Sequence, residues 1–385
     1  MVLNERLVTE MNEKSILPES QAGFRRGRGA MDDVYILHHQ IEKELLKEGG
    51  WVYALFVHLK AAFDTVDREC LWECMERRGL SEKLIVAARE IYREIVTSVR
   101  VGGIESEMFW TMKGLRQRCP LSPSLFACYI SDIEEMFRGV QAEGIVVGRE
   151  KVSCLAFADD LVILAKDECG MNEMKKNLQR YFKRKKLEVN VKKTKMMVFR
   201  KKGRKGEEKV WPWGDRIIDT VKEFKYLGFK FTTTNTVKAH IRERRVKAMQ
   251  IMGMVWSIGE RIFGHDVRRR MKMSDSLVRS VLMYGVEIWG WKEYAETEAV
   301  QEKYLRWMLA LRKETPGYIV REECKREKLR VYTGKRAVKY DERLKEREVC
   351  RILYECWKEK KRKQGKNITR VDKDIMKDWD THGWK

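Results

Sequence analysis

The chain is short of proline, of long apolar runs, of paired cysteines and of acid, and each shortage removes a class of protein. Five prolines in 385 residues leave room for long uninterrupted helices, because proline breaks a helix interior. No stretch reaches the roughly 18 apolar residues of a membrane-spanning helix. Residues 1–20 carry Glu5, Glu10, Glu13 and Glu19 where a signal peptide would have an apolar core. The expected location is therefore intracellular, in nucleus or cytoplasm. The nine cysteines contain no Cys-x-x-Cys pair. Cys70 and Cys74 lie one helical turn apart, and Cys350 and Cys356 are followed by a single histidine, His382. No zinc template has that spacing, so the thiols are read as reduced.

The acid shortage says most about partners. Lys and Arg number 80 against 58 Asp and Glu, a net charge of +22 in a chain that is 36% charged. An excess of this size points to a polyanion, and nucleic acid fits better than an anionic membrane, since no amphipathic anchor segment is evident. A hydrophobic share of 43% is enough for a folded core.

Along the chain, residues 1–48 read as polar helix broken by Gly23-Phe-Arg-Arg-Gly-Arg-Gly29. Trp51 to Leu59 is a compact apolar run, the pattern of a buried strand. Helix is expected from Arg68 to about Val99, then strand-like patches at Ser98–Gly102 and Phe109–Lys113. A helix start is marked at Leu121-Ser-Pro, with Ser122 as the cap and Pro123 in the first turn. Leu125, Phe126, Tyr129, Ile130, Ile133 and Phe137 share a face. A helix over 171–186, a strand over 195–200 and a strand pair over 224–231 follow. Arg200 to Gly206 holds five cations in seven residues, most simply an exposed loop. Beyond His240 the pattern is helical.

The strongest local signal is Val152-Ser-Cys-Leu-Ala-Phe-Ala-Asp-Asp-Leu-Val-Ile-Leu-Ala165. Two apolar runs flank Asp159-Asp160, the pattern of a β-hairpin with two carboxylates at its tip. Asp is common in plain turns. Between buried strands, however, paired acids are costly unless a hard cation such as Mg2+ neutralises them.

Five blocks occur in order: Leu17-Pro-Glu-Ser-Gln-Ala-Gly-Phe-Arg-Arg-Gly-Arg-Gly29, Leu55-Phe-Val-His-Leu-Lys-Ala-Ala-Phe-Asp64, Gly114-Leu-Arg-Gln-Arg-Cys-Pro-Leu-Ser-Pro123, Phe157-Ala-Asp-Asp160 and Tyr226-Leu-Gly228. The series resembles the polymerase blocks of non-LTR retrotransposon reverse transcriptases, and Val281-Leu-Met-Tyr-Gly285 with Thr315-Pro-Gly317 continues it. The resemblance implies an α+β right-hand polymerase, with an antiparallel palm backed by helices and a helical thumb. Remnant fingers would occupy residues 1–50, the palm 51–237, the thumb 238–313, and a basic, helical or partly disordered tail 314–385.

The implied activity is RNA-templated DNA synthesis from deoxynucleotides. Two Mg2+ ions roughly 3.5–4 Å apart would activate the primer hydroxyl and steady the leaving group. Asp159 and Asp160 match two of the family's metal-binding acids. The third family acid falls where this chain has His58, a poor Mg2+ ligand. Asp64 is not expected to replace it. Phe63 matches the aromatic gate against a 2′-hydroxyl, although it also reads as core. Gln117 matches a residue near the incoming nucleotide. Arg118 replaces a family glycine that permits close backbone approach. Lys193 and Lys195 fall where the family has a lysine near the pyrophosphate, and either also reads as a solvated charge. Arg25, Arg26, Arg28, Tyr226, Gly228 and the loop cations Lys201, Lys202, Arg204 and Lys205 are the candidate nucleic-acid contacts.

Val2 to Leu7 resembles the stretch just after the finger strands, and no endonuclease, zinc-knuckle or RNase H pattern is evident. The expectation is a truncated, partly degenerate copy. Two functions compete: a polymerase, and a nucleic-acid-binding remnant without chemistry. His58, Arg118 and the missing finger strands favour the second. A structural or membrane-surface protein has only the charge in its favour.

Overall fold

The computed structural model describes residues 2–137, 144–204, 209–345 and 350–366. The chain divides into two compact units, one of Met1–Ile145 with Val152–Lys247, the other of Val146–Lys151 with Ala248–Lys385. Helices α1 (Val2–Glu13) and α2 (Ala30–Leu46) lead into strand β1 (Trp51–His58), then α3 (Arg68–Arg77) and α4 (Glu82–Arg93). Four two-residue strands follow: β2 (Val96–Thr97), β3 (Arg100–Val101), β4 (Ile104–Glu105) and β5 (Phe109–Trp110). Next come α5 (Ser122–Tyr129), the short pair β6 (Ile145–Val147) and β7 (Glu150–Val152), then β8 (Cys154–Phe157), β9 (Asp160–Ala165) and α6 (Glu168–Arg184). Strands β10 (Lys195–Arg200), β11 (Trp211–Trp213), β12 (Arg216–Thr220), β13 (Glu223–Tyr226) and β14 (Phe229–Thr232) lead to α7 (Lys238–Phe263).

The main sheet has the order β11-β12-β10-β1-β9-β8, and every pairing except β10 with β12 is antiparallel. Apolar burial explains why β1 lies at its centre. Leu55 and Val57 on one face join Leu161 and Ile163 of β9 in a core with α3, α5 and α6, built on Trp72, Met75, Phe126, Tyr129, Met174 and Tyr181. Val52, Ala54 and Phe56 on the other face are also buried, and α2 packs on β1, β8 and β10. A strand covered on both faces loses its polar alternation, so residues 51–57 read as one apolar run.

Several local expectations are corrected. Residues 1–48 are not a uniformly polar helical stretch, because α2 buries Val34, Ile36, Leu37 and Ile41 under the sheet. The helix expected over 68–99 is two helices. Gly79 takes φ +73° after α3, and the Leu80 N–H closes the turn on the Met75 carbonyl at 3.1 Å, a left-handed stop suited to glycine. The patches near 98 and 109 are only the short strands β2 to β5, whose residues are exposed. Ser122 does not cap α5. Leu121 holds the cap position, and the Ser122 hydroxyl turns to the Arg116 carbonyl (2.6 Å) and the Tyr92 hydroxyl (2.9 Å). Those polar groups need a buried partner more than amides at a helix start that other groups can reach.

In the second unit, α8 (Val267–Ser274) continues through a π-helical turn (Asp275–Arg279) into α9 (Ser280–Leu282) and α10 (Val286–Trp289). Then follow α11 (Ala295–Met308), α12 (Gly317–Glu323), α13 (Leu329–Lys345) and α14 (Arg351–Lys366). Helix α13 packs on α10, α11 and α14. The Arg321 guanidinium joins α12 to Glu298 and Glu302 of α11.

Candidate active site

Phe157 pairs with Asp160 across the β8–β9 hairpin, which leaves a two-residue loop, Ala158-Asp159. Ala158 has φ +58° and Asp159 is not among the positive-φ residues, the pattern of a type II′ turn, whose first position favours glycine. The β8 edge is covered by residues 20–23. The Ala156 N–H donates to the Ser20 carbonyl and the Ala22 N–H to the Ala156 carbonyl, both at 2.9 Å. Gly23 lies so close that a Cβ on it would come within 2.3 Å of the Ala158 nitrogen.

His58 is the last residue of β1 and stands opposite Asp160 in the ladder. Cross-strand partners share a face of the sheet, so His58, Asp160 and Phe56 point the same way. His58 Nδ1 is 3.7 Å from Asp160 Oδ1, longer than a hydrogen bond. The His58 backbone is fixed on both sides, its N–H donating to Thr194 Oγ1 (3.1 Å) and its carbonyl accepting from the Asn190 N–H (2.8 Å). Burial pushes the Asp160 carboxyl above its usual range, the Asp159 charge adds to that, and His58 opposes it.

His58 and Asp160 border a cavity of about 240 Å³ that Phe56, Lys193, Phe224 and Tyr226 also line. Tyr226 is 3% exposed, with its ring centroid 5.7 Å from that of Phe56, so it has little ring face left for stacking on a base. Gly228 takes φ +79° in the β13–β14 turn, and its carbonyl accepts from Arg244 at 3.0 Å. The two candidate lysines part company. Lys195 is held by Asp219 Oδ2 at 2.5 Å, whereas Lys193 lines the cavity.

A second cluster ties residues 63–68 to 111–118. Phe63 stacks on Phe126 with centroids 4.7 Å apart. Gln117 Nε2 donates to both Asp64 carboxylate oxygens, at 3.0 and 3.3 Å, so Asp64 is engaged there. Arg118 is exposed and has φ +63°, a left-handed backbone at which a side chain costs roughly 1–2 kcal/mol. Sequence reasoning missed Arg68. Its guanidinium donates to the carbonyls of Gly114, Thr111, Lys113 and Tyr92 and so sets the course of the 111–114 segment. A lone arginine in a helix carries no signal for that.

Of the glycine-rich loop, Arg25 bonds the Pro18 carbonyl (3.0 Å) and Arg28 the Glu19 carboxylate (2.8 Å) with its side chain 3% exposed. Arg26 is exposed, as are Lys201, Lys202 and Arg204. Lys205 lies outside the described residues. Sequence reasoning also missed Asp33 on α2. It is 1% exposed, neither carboxylate oxygen has a hydrogen-bond partner, and burial pushes its carboxyl well above the usual range against the opposing charge of Arg28. An acid in the first turn of a helix ordinarily reads as a dipole partner in water, which is why it drew no notice.

A mostly antiparallel sheet backed by helices, with an Asp-Asp hairpin at one edge beside the central β1, is the architecture of a right-hand polymerase palm. A family described as reverse transcriptase (RNA-dependent DNA polymerase) matches residues 2–231, well over half of the chain. The chain belongs to that family, as a reverse transcriptase domain of the non-LTR retrotransposon kind.

The Pol polyprotein of the type-1 retrotransposable element R2 of Nasonia vitripennis is 24% identical over 299 residues, 72% of this chain and 29% of that protein. The R2DM polyprotein of Drosophila melanogaster is 26% identical over 254 residues, 63% of this chain and 23% of that protein. The probable RNA-directed DNA polymerase from transposon BS of the same fly is 24% identical over 326 residues, 79% and 34% respectively. The chain thus spans about a third or less of these relatives. Telomerase from Candida albicans, solved with a fragment of telomeric RNA, is similar at a TM-score of 0.45 and 11% identity, over 85% of this chain and 58% of that one. Among the described residues no helix is long and apolar enough to cross a membrane.

Proposed function

We propose that this chain engages an RNA template and its RNA–DNA or DNA duplex as a reverse transcriptase palm does, with its centre for DNA synthesis impaired at two positions. RNA-templated DNA synthesis is the family's activity. The observation that carries the reading is His58 Nδ1 at 3.7 Å from Asp160 Oδ1, in the place where the family has an acid.

The Mg2+ pair that the family uses does not fit this donor set. A hard cation takes oxygen ligands, and β1 offers an imidazole. Among the described residues no three His, Cys, Asp or Glu side chains gather as a metal cage, and the next acid along, Asp64, is bonded to Gln117. Arg118 adds a side chain beside the Gln117 position, where close backbone approach is what glycine allows. What the remaining residues support is binding. The exposed cations Arg26, Lys201, Lys202 and Arg204 and the net charge of +22 suit a phosphate backbone, and Lys193 at the cavity suits a phosphate within it.

The test is primer extension on an RNA template with deoxynucleotides and Mg2+. The unmodified chain and His58→Asp should give little or no product. The double variant His58→Asp with Arg118→Gly should give a detectable but weak gain, each 1.36 kcal/mol of lost transition-state stabilisation costing tenfold in rate. Robust synthesis by the unmodified chain would overturn the proposal.

A further inference from the structure

Strands β2 and β5 pair Val96 with Trp110 and Thr97 with Phe109, and β3 and β4 pair Arg100 with Glu105 and Val101 with Ile104. Between the two ladders the Ser106 N–H donates to the Val99 carbonyl, and at the base the Thr111 N–H donates to the Ile95 carbonyl, both at 2.9 Å. Residues 95–111 are therefore one β-hairpin. It turns at Gly102 and Gly103, whose φ values of +60° and +89° suit a type I′ turn. Every residue from 99 to 110 is exposed, with Val101 at 71%, Ile104 at 79% and Trp110 at 60%. A two-stranded hairpin on its own is at best marginally stable in water, and this one leaves its apolar side chains there. We infer that the hairpin is a self-association arm, covered by the same hairpin of a second copy of this chain across a two-fold axis.

Area and charge choose the partner. Alternation along the strands puts Val99 and Val101 on one face with Phe109 and Ile104, and that face carries no charge. Eight large apolar residues between Val96 and Met112 are 43% to 82% exposed. Together they offer about 800 Å² per copy, the share each partner gives to a standard interface. The largest apolar patch on a monomer is ordinarily about 300–600 Å². The chain carries +22, but residues 95–111 hold one cation, Arg100, against two acids, Glu105 and Glu107. A nucleic acid finds little there to bind its phosphates, whereas a second positive chain meets the least repulsion. A two-fold interface sets a patch against its own copy, so the uncharged face meets its like and each Arg100 has acids within the same interface. Neither strand carries the lysine or proline that ordinarily protects an exposed edge, which leaves its backbone open to pairing as well. The inference does not rest on the proposed nucleic-acid binding.

Sedimentation equilibrium of the full chain, treated with nuclease, reads the association at low and high salt. A reversible dimer with a micromolar Kd is expected. It should tighten at least threefold from about 0.1 to about 0.5 M salt, because a Debye length of about 10 Å at the lower value shrinks and screens the repulsion between two positive copies. Nucleic-acid binding changes in the opposite direction with salt. Val101→Thr with Ile104→Thr keeps strand-forming residues and removes apolar area, so it should weaken the dimer at least tenfold while the melting temperature of the dilute protein stays the same. Amide hydrogen exchange over 99–110 should slow as the concentration of the unmodified chain rises, and should not in that variant. The inference is overturned by a chain that stays monomeric up to about 100 µM, well above a micromolar Kd, by a dimer that nuclease or salt dissolves, or by a dimer that the threonine pair leaves intact. A monomeric chain whose hairpin captures a different protein overturns it too. Nucleic-acid binding is measured separately, and its loss beside an intact dimer would sink the proposed function and leave this inference standing.

Discussion

Replacing Gly23 with alanine adds one methyl group, and the structure states what that group meets. The new Cβ would lie 2.3 Å from the Ala158 nitrogen, 2.9 Å from the Phe157 carbonyl carbon and 3.2 Å from the Ala158 Cα. All three are backbone atoms, so no rotamer change relieves the overlap. Ordinary contact begins at 3.4 Å, and the two segments must part by about 1 Å. Parting them strains the hydrogen bonds of Ala156 with Ser20 and Ala22, worth roughly 0.5–1.5 kcal/mol each. Overpacking adds roughly 1–3 kcal/mol, for a total of about 2–5 kcal/mol.

At roughly 2–4 °C per kcal/mol for a unit of this size, calorimetry should show the first unit melting about 5–15 °C lower. Gly253→Ala gives the opposite sign. Its Cβ meets nothing within 4 Å in the middle of α7, and alanine there should stabilise by roughly 0.5–1 kcal/mol. An unchanged melting temperature in Gly23→Ala would refute the claim that residues 20–23 set the position of the Asp-Asp turn.

Asp33→Asn removes a buried titration. The folded-state pKa of Asp33 is raised, so its contribution to stability is full below the unfolded value near 4 and is lost as pH rises toward the folded value. The melting-temperature advantage of the Asn variant should therefore grow from pH 4 to 8, and a difference independent of pH would refute the reading. Glu243 has the opposite sign. Burial would raise its pKa, but Lys225 and Lys247 outweigh that and hold it down to about 2, so Glu243→Gln should lose its destabilising effect as the pH falls through the acid range. Arg118→Gly relieves a left-handed side chain and should raise the melting temperature by roughly 1–4 °C, taking about 0.5–1 kcal/mol net of glycine's entropy. Duplex affinity should fall with salt at a log–log slope of about −4 or steeper, and replacing the five cations of residues 200–206 with Ser should flatten it. An affinity independent of salt would count against a phosphate-tracking groove.

The elements with one dominant signal were the legible ones. A run buried on both faces gave β1, two apolar runs around paired acids gave the β8–β9 hairpin, and the family resemblance put His58 on the strand beside the paired acids, where it stands opposite Asp160. Boundaries that depend on competing partners were not legible. Ser122 has the residue type of a cap, but the Tyr92 hydroxyl and the Arg116 carbonyl, 30 and 6 residues away in sequence, claim its oxygen. Arg28 looked like a surface cation in a basic loop, and Glu19 takes it inward. Tyr226 read as a contact for nucleic acid, yet it packs beside Phe56 under its own hairpin. In each instance the deciding partner is set by the folded chain, from 6 residues away for Ser122 and Arg116 to far across the sequence for Tyr226 and Phe56, and a single sequence does not name it.

The two departures from the family differ in what they cost the fold, and that difference explains how chemistry and architecture can separate. His58 ends β1 with its side chain half in solvent, and the strand is held by its backbone hydrogen bonds and by Leu55 and Val57 in the core. On the proposed reading, an imidazole in place of an acid there would remove a metal ligand without touching the buried core of the strand. Arg118 does carry a conformational penalty of roughly 1–2 kcal/mol, but the surrounding loop is over-determined. Arg68 holds four of the nearby carbonyls, and Gln117 is tied to Asp64. The residues that shape the palm are thus distinct from those that would run its reaction. On the proposed reading, such a chain keeps the first set and a basic surface while losing the second, since binding to a phosphate backbone draws on charge and shape.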